Sequence, residues 1–335
     1  MAYTIKDVAS LAGVSLATAS RVLNGKPGVK ASNRQKVLDT ARELNYLPNQ
    51  LAKGMKTKKT RTIGLVVADI TNPFYSDVAK GIELRARENN YTVIICNTDN
   101  KSSNQKEIID NLRERHVDGF ILASVELRDK PASDLIREGY PCILFHRHLE
   151  AYKGHFVGVD EHEGVRQVLE HLHQLGHRQI AFVSGPRRFS TGMERLRAYL
   201  EITKQLSIDR PPYLVQEGSY DRMKTANGVK TLLALPSPPT AIFAANDLMA
   251  MEVLNCILEM GYDVPKDFSV AGFDNIPITA HQGIQLTTVD IQTEHYARVV
   301  IDNLMNILEG IHPPDKTIHI LIKPQLCARK TTGPP

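Results

Sequence analysis

The sequence predicts an α/β chain in two parts, a three-helix helix-turn-helix segment followed by a larger body of two doubly wound lobes. Three observations carry this. Apolar residues recur at helical spacing over about the first 45 positions; from Arg61 onward, short β-rich runs alternate with helical patterns; and the charge balance reverses between the two parts. Residues 1–61 hold 12 Lys/Arg against 3 Asp/Glu, and residues 62–335 hold 29 against 34. At 335 residues the chain has room for two or three structural units, and no run approaches the roughly 18 apolar residues of a membrane span. The start, MAYTIKDVAS, sets Asp7 in a helical pattern and has no apolar core of a secretory signal, so a cytoplasmic protein is expected. Cys96, Cys142, Cys256 and Cys327 are too scattered for a disulfide framework or a zinc ribbon.

In the first part, Ile5, Val8, Ala9 and Ala12 form one helical stripe, with Thr4 as its N-cap and Gly13 just past its end. Ser15 caps a second helix that buries Ala19, Val22 and Leu23, and the intervening glycine permits the tight turn of a helix-turn-helix. A third stripe, Val37, Ala41 and Leu44, follows Ser32 as a further cap. The second helix is left with Leu16, Ala17, Thr18, Ser20 and Arg21 projecting outward. Those types suit a DNA major groove: Arg21 for guanine O6/N7 or a phosphate, Leu16 and Ala17 for thymine methyls, Thr18 and Ser20 for phosphate oxygens. Residues 48–61, PNQLAKGMKTKKTR, read by composition as a basic linker, with Pro48 suited to open a helix too short to persist alone.

In the body, IGLVVAD, VIICN, DGFILAS and CILFH, then IAFVSG, AIFAAN and FSVAGFD, read as parallel strands of βαβ units. RTIGLVVADI is echoed by RQIAFVSGPR, which implies two similar lobes. Ligands of such sheets bind beyond the carboxyl ends of the strands, here in one cleft between the lobes. The strand ends offer Asn72, Phe74 and Tyr75, then Asp160, Asn246, Asp247, Asp274 and Asn275. Asp and Asn at such positions serve as helix caps or grip vicinal hydroxyls, and an aromatic ring covers the apolar face of a sugar. One of Phe74 and Tyr75 is expected to face the cleft. His146, Arg147, His148, Arg187 and Arg188 make its neighbourhood cationic; these are solvated or salt-bridged chains, or they select a sugar acid, a sugar phosphate or a purine.

TIKDVASLAGVS, TASRVLNG and ARELNYLPNQLAKGM together resemble the lactose repressor/galactose repressor family of bacterial regulators, and the resemblance spans essentially the whole chain. It implies a helix-turn-helix DNA-binding domain over residues 1–47, a hinge helix over 48–60, and an effector-binding and dimerisation domain over 61–335 of periplasmic-binding-protein-like form. The first lobe would take about 61–160 plus 292–321, and the second about 161–291 plus 322–335. DNA contacts are implied at Thr4, Ser15, Leu16, Ala17, Thr18, Ser20, Arg21, Asn24, Met55 and Lys56, with Met55 as an apolar wedge in the minor groove. The family usually has leucine there, and Gly54 lowers helix propensity, so a weaker hinge is expected. Effector contacts are implied at Phe74, Asp160, Thr191, Arg195, Tyr220, Asn246 and Asp274.

Other chemistries find little support. GPRRFSTG lacks P-loop spacing, no G-x-S-x-G elbow is present, and His171 and His173 are two apart on a helix, pointing to different faces. No metal, cofactor or catalytic role is expected. The helix over 294–309 would return to the first lobe, IHILIKPQL would cross between lobes, and the end, TTGPP, lacks tetramerisation heptads. The expected protein is thus a homodimeric transcriptional regulator of a pseudo-palindromic operator. A sugar, sugar acid or sugar phosphate would control its affinity, with no membrane partner. A solute-binding protein or sugar enzyme carrying a helical module is the rival, disfavoured by the basic front segment.

Overall fold

In the computed structural model, which describes residues 3–46, 59–209, 211–313 and 316–335, helix α1 (Ile5–Leu11) starts at Thr4. The Thr4 amide donates to the Asp7 carboxylate at 2.7 Å, tying the first turn. Gly13 follows the helix at φ +64°, a left-handed turn that a side chain would strain. Ser15 then accepts from the Thr18 amide at 3.2 Å and opens α2 (Leu16–Leu23). Helix α3 (Ala31–Glu43) closes a small core of Val8, Ala9, Ala12, Ala19, Val22 and Val37, with Leu23, Ala41 and Leu44 partly buried against it. Ser32 is not the cap of α3. The chain is already helical at Ala31, Lys30 holds the cap position without a side-chain bond, and Ser32 lies inside the first turn. Met55 and Lys56 lie outside the described residues.

The chain divides into two compact units, Met1–Thr60 and Arg61–Pro335. The second unit runs β1 (Thr62–Val67), α4 (Pro73–Glu88), β2 (Thr92–Asn97), α5 (Ser102–Glu114), β3 (Gly119–Leu122), α6 (Lys130–Arg137), β4 (Cys142–Phe145) and β5 (Phe156–Val159). It continues through α7 (Glu161–Gln174), β6 (Ile180–Ser184), α8 (Ser190–Gln205), β7 (Val215–Glu217), α9 (Arg222–Leu233), β8 (Ala241–Ala244), α10 (Asp247–Glu259) and β9 (Ser269–Ala271). Then come β10 (Thr288–Asp290), α11 (Thr293–Leu308), β11 (His319–Ile322) and β12 (Gln325–Cys327).

Two parallel sheets result, one ordered β11-β5-β4-β3-β1-β2 and the other β7-β6-β8-β9. The apolar runs that the sequence shows are strands covered by helices, and β3, β4, β5, β6 and β8 are buried along their length. The echo between the two halves is topological as well: β1 and β6 each have the following strand on one side and the next but one on the other. The chain passes between the sheets after β5, after β10 and after β11. The last passage carries β12 to an antiparallel pairing with β10, while α11 packs on α4 and on β3, β4 and β5 of the first lobe.

Candidate functional site

On α2 the buried side is taken by Ala19 and Val22, so Leu16, Ala17 and Arg21 are exposed, and Thr18 and Ser20 are half-buried. Thr18 Oγ1 lies 2.9 Å from Ser15 Oγ, and Asn24 donates to the Ser20 carbonyl at 2.8 Å. Arg21 has only a long bond, 3.4 Å, to the Pro27 carbonyl, and no ion pair with Asp or Glu among the described residues. Thr4 is exposed at the start of α1, its hydroxyl on Asp7 at 2.8 Å. The helix therefore presents a cation, two small apolar side chains and hydroxyls to solvent, the set a base edge and its flanking phosphates require.

In the second unit, a cavity of about 490 Å³ lies beyond the carboxyl ends of both sheets. Much of the wall follows strands: Asn72, Phe74 and Tyr75 come after β1, Asn100 after β2, His146 and Arg147 after β4, Tyr220 after β7, Asn246 after β8 and Asp274 after β9. Asn72 accepts from the Phe74 amide at 3.1 Å and caps α4 with Pro73 in its first turn, which fixes both aromatic rings at the cavity. Both face it, one more than expected. Phe74 also lies 4.6 Å from the His146 ring.

Arg195, from α8, is 1% exposed and sits at the second-lobe wall. It donates to both oxygens of Glu161 (2.6 and 3.2 Å) and to the Ala245 carbonyl, lies 3.5 Å from Asp274 Oδ1, and covers the Phe273 ring at 3.7 Å. Burial penalises its charge, yet Glu161 and Asp274 outweigh that and hold it protonated. Burial raises the Asp274 carboxyl to about 7 against the opposing pull of Arg195. Asp247 is pushed up by burial and by the charge of Asp274; it accepts from Thr288 Oγ1 (2.5 Å) and the Ile276 amide (2.9 Å), and Gly272 leaves the space its carboxylate occupies.

Arg147 differs. It is 3% exposed and lies 3.7 Å above the Phe189 ring centre; its Nη1 donates to Asn100 Oδ1 at 2.9 Å. Burial and the two arginines hold His146 neutral, well below the ordinary histidine range. Among the described residues, the buried side-chain polar atoms without a hydrogen-bond partner are His146 Nδ1, Arg147 Nε, Ser184 Oγ, Thr225 Oγ1 and Asp274 Oδ1. All but Ser184 belong to residues lining this one cavity. His146, Tyr220 and Asp274 also adopt positive φ, at 65°, 55° and 112°, conformations that concentrate where a site constrains its backbone.

The structure thus brings Phe74, Arg195, Tyr220, Asn246 and Asp274 to one cavity. Thr191 is buried behind it, its hydroxyl 3.4 Å from that of Tyr220. Asp160 is not there: its carboxylate accepts from the Glu163 amide at 3.0 Å as the cap of α7, and it borders a second cavity of about 370 Å³. Of the cationic group, only His146 and Arg147 reach the first cavity. Arg187 and Arg188 are exposed, Arg188 pairing with Glu126 at 3.1 Å, and His148 pairs with Glu194 at 2.6 Å beside the second cavity. Sequence reasoning missed Glu161, Asn100 and Thr225. Glu161 reads as an ordinary first-turn acid, and its role is visible only once Arg195 is placed against it.

Residues 4–49 match the model of bacterial regulatory proteins of the lacI family, and residues 169–332 match that of the periplasmic binding protein-like domain. Catabolite control protein A of Priestia megaterium is 35% identical over 291 residues, covering 86% of this chain and 87% of its own. A probable HTH-type transcriptional repressor, ExuR of Bacillus subtilis (strain 168), is 32% identical over 97% of both chains. The crystal structure of a lac repressor dimer bound to operator and the anti-inducer ONPF superposes with a TM-score of 0.87 at 27% identity, covering 99% of this chain and 100% of that one.

Proposed function

The chain belongs to the lacI family of bacterial regulatory proteins, and from that premise we propose that it is a sequence-specific repressor whose operator affinity is set by a small sugar-like or sugar-acid effector bound between its lobes. As a member of that family it is a DNA-binding regulator rather than an enzyme. The observation that carries the effector reading is the gathering of partnerless buried polar atoms, from His146, Arg147, Thr225 and Asp274, on one cavity; such atoms are rare in native interiors, and a hydroxylated ligand supplies their missing bonds.

In this reading α2 enters the major groove. Arg21 reads guanine, Leu16 and Ala17 pack on thymine methyls, and Thr4, Ser15, Thr18, Ser20 and Asn24 fix the register on phosphates. A homodimer presents two such helices to a pseudo-palindrome, and Met55 and Lys56, in the 48–60 hinge, contact its centre. Phe74 covers the apolar face of the effector, Asp274, Asn246 and Arg195 bond its hydroxyls, and Tyr220, backed by Thr191, closes the opposite wall. The lobes take about residues 61–160 plus 292–321 and 161–291 plus 322–335, and the protein works in the cytoplasm. Because the walls come from different lobes, an effector that fits one lobe arrangement better biases it, and a differential of about 1–3 kcal/mol is enough to change operator affinity five- to 150-fold. Selection by the full-length protein from a random duplex pool tests the DNA half. Enrichment of a pseudo-palindrome is expected, and a pool that stays random after several rounds contradicts it.

A further inference from the structure

The two cavity arginines are buried alike and partnered oppositely. Arg195 has Glu161 and Asp274, whereas Arg147 makes no ion pair with Asp or Glu among the described residues. Among the described residues the one hydrogen bond of its guanidinium goes to a neutral amide, Asn100 Oδ1, its Nε has no partner, and its faces meet aromatic rings: Phe189 at 3.7 Å and Tyr220 at 5.8 Å. The other acids on the cavity wall are committed. Asp69 accepts from the Thr71 amide and hydroxyl (3.0 and 2.7 Å), Asp221 from the Lys224 amide (2.9 Å), Glu252 from Arg222 (2.7 Å), and Asp274 faces Arg195. A buried cation with no ion-pair contact is costly, and a guanidinium is matched by a carboxylate or phosphate fork.

We propose that the effector carries one anionic group, a carboxylate or a phosphate, and that Arg147 is the residue that selects it. The hydroxyls of the same molecule then fall to Asp274, Thr225 and Asn246 across the cavity, so the ligand is a hydroxylated acid rather than a neutral sugar. This rests on the effector reading of the cavity and narrows it to one chemical class and one residue.

The test is calorimetry on the full-length protein with matched probes: D-glucuronate and D-glucose, D-galacturonate and D-galactose, D-gluconate and D-glucitol, and glucose 6-phosphate. At least one acid is expected to bind about tenfold or more tighter than its neutral counterpart, and the series in which it falls separates carboxylate from phosphate. Arg147→Gln should bring the pair to near parity, and Arg147→Lys should retain part of the preference. Asn100→Asp, which places a carboxylate beside Arg147 and leaves the arginine intact, should weaken the acid alone. A neutral sugar bound as tightly as its acid overturns the anionic effector and leaves the cavity reading standing. An acid preference that survives Arg147→Gln overturns the role of Arg147. Binding of no member of any pair removes the cavity reading itself, and this inference with it.

Discussion

On the second-lobe side of the cavity, Arg195 is held by Glu161, Asp274 and a carbonyl, and Asp247 is fixed by Thr288 and the Ile276 amide. On the first-lobe side, Arg147 and His146 each keep a buried nitrogen without a partner. The first arrangement carries its own counter-charges, with Asp274 Oδ1 and Thr225 Oγ1 left without a hydrogen bond among the described residues. The second depends on the ligand for its last bonds. In the proposed reading both walls gain hydrogen bonds when the cavity fills, but only the Arg147 wall gains a counter-charge, so occupancy would favour the arrangement that brings that wall to the ligand.

The most damaging way to break the contrast is to remove the partner of the satisfied arginine. Glu161→Gln leaves Arg195 buried beside Asp274 alone, and thermal or urea unfolding should show a loss of about 3–5 kcal/mol. A loss under about 1 kcal/mol means that Asp274 and the Ala245 carbonyl suffice and that the wall is not built on Glu161.

Asp274 sharpens the comparison through pH. Its folded pKa, raised by burial to about 7, lies above the unfolded value near 3.8, so the folded state binds the extra proton between those limits. Its contribution to stability is present at the acid end and is lost as pH rises through about 7. Asp274→Asn removes that loss, so the Tm of the variant should gain on wild type from pH 5 to pH 8 while its effector response disappears. A constant Tm difference across that range means the carboxyl is already ionised beside Arg195.

The face of α2 offers a third kind of arrangement, exposed and only loosely tied. Arg21→Ala should cost about 1–3 kcal/mol of operator binding and relax base preference at one position; equal loss on every duplex makes Arg21 a phosphate contact. The smallest effect belongs to Ser15→Ala. Removing the cap bond to the Thr18 amide should cost about 1 kcal/mol of stability in the helix-turn-helix unit, and an unchanged melting curve assigns that amide to solvent.

The sequence makes most of the fold legible because period and burial agree. The runs around β1, β6 and β8 are predominantly apolar, and Ser15, Asn72 and Asn246 stand at helix starts where their side chains accept from the first-turn amides. Side-chain direction is less legible. Arg147, Arg187 and Arg188 read as one cationic group, yet only Arg147 is buried; Arg188 covers the same Phe189 ring from the exposed side and pairs with Glu126, and Arg187 is exposed. Asp160 and Glu161 are adjacent acids at one strand end. The first is consumed by the helix cap and the second turns under Arg195, a division set by the geometry of the α7 start rather than by residue type.

If operator binding is coupled to occupancy of the cavity, fluorescence anisotropy reads that coupling in a single experiment. The full-length protein is titrated onto duplex from upstream of its own gene over a salt series, with and without the sugars, sugar acids, sugar phosphates and purines that fit the cavity. The expected result is tight, sequence-selective binding that falls steeply with salt and is shifted by one compound. Equally weak binding to every duplex, unmoved by any compound, contradicts it.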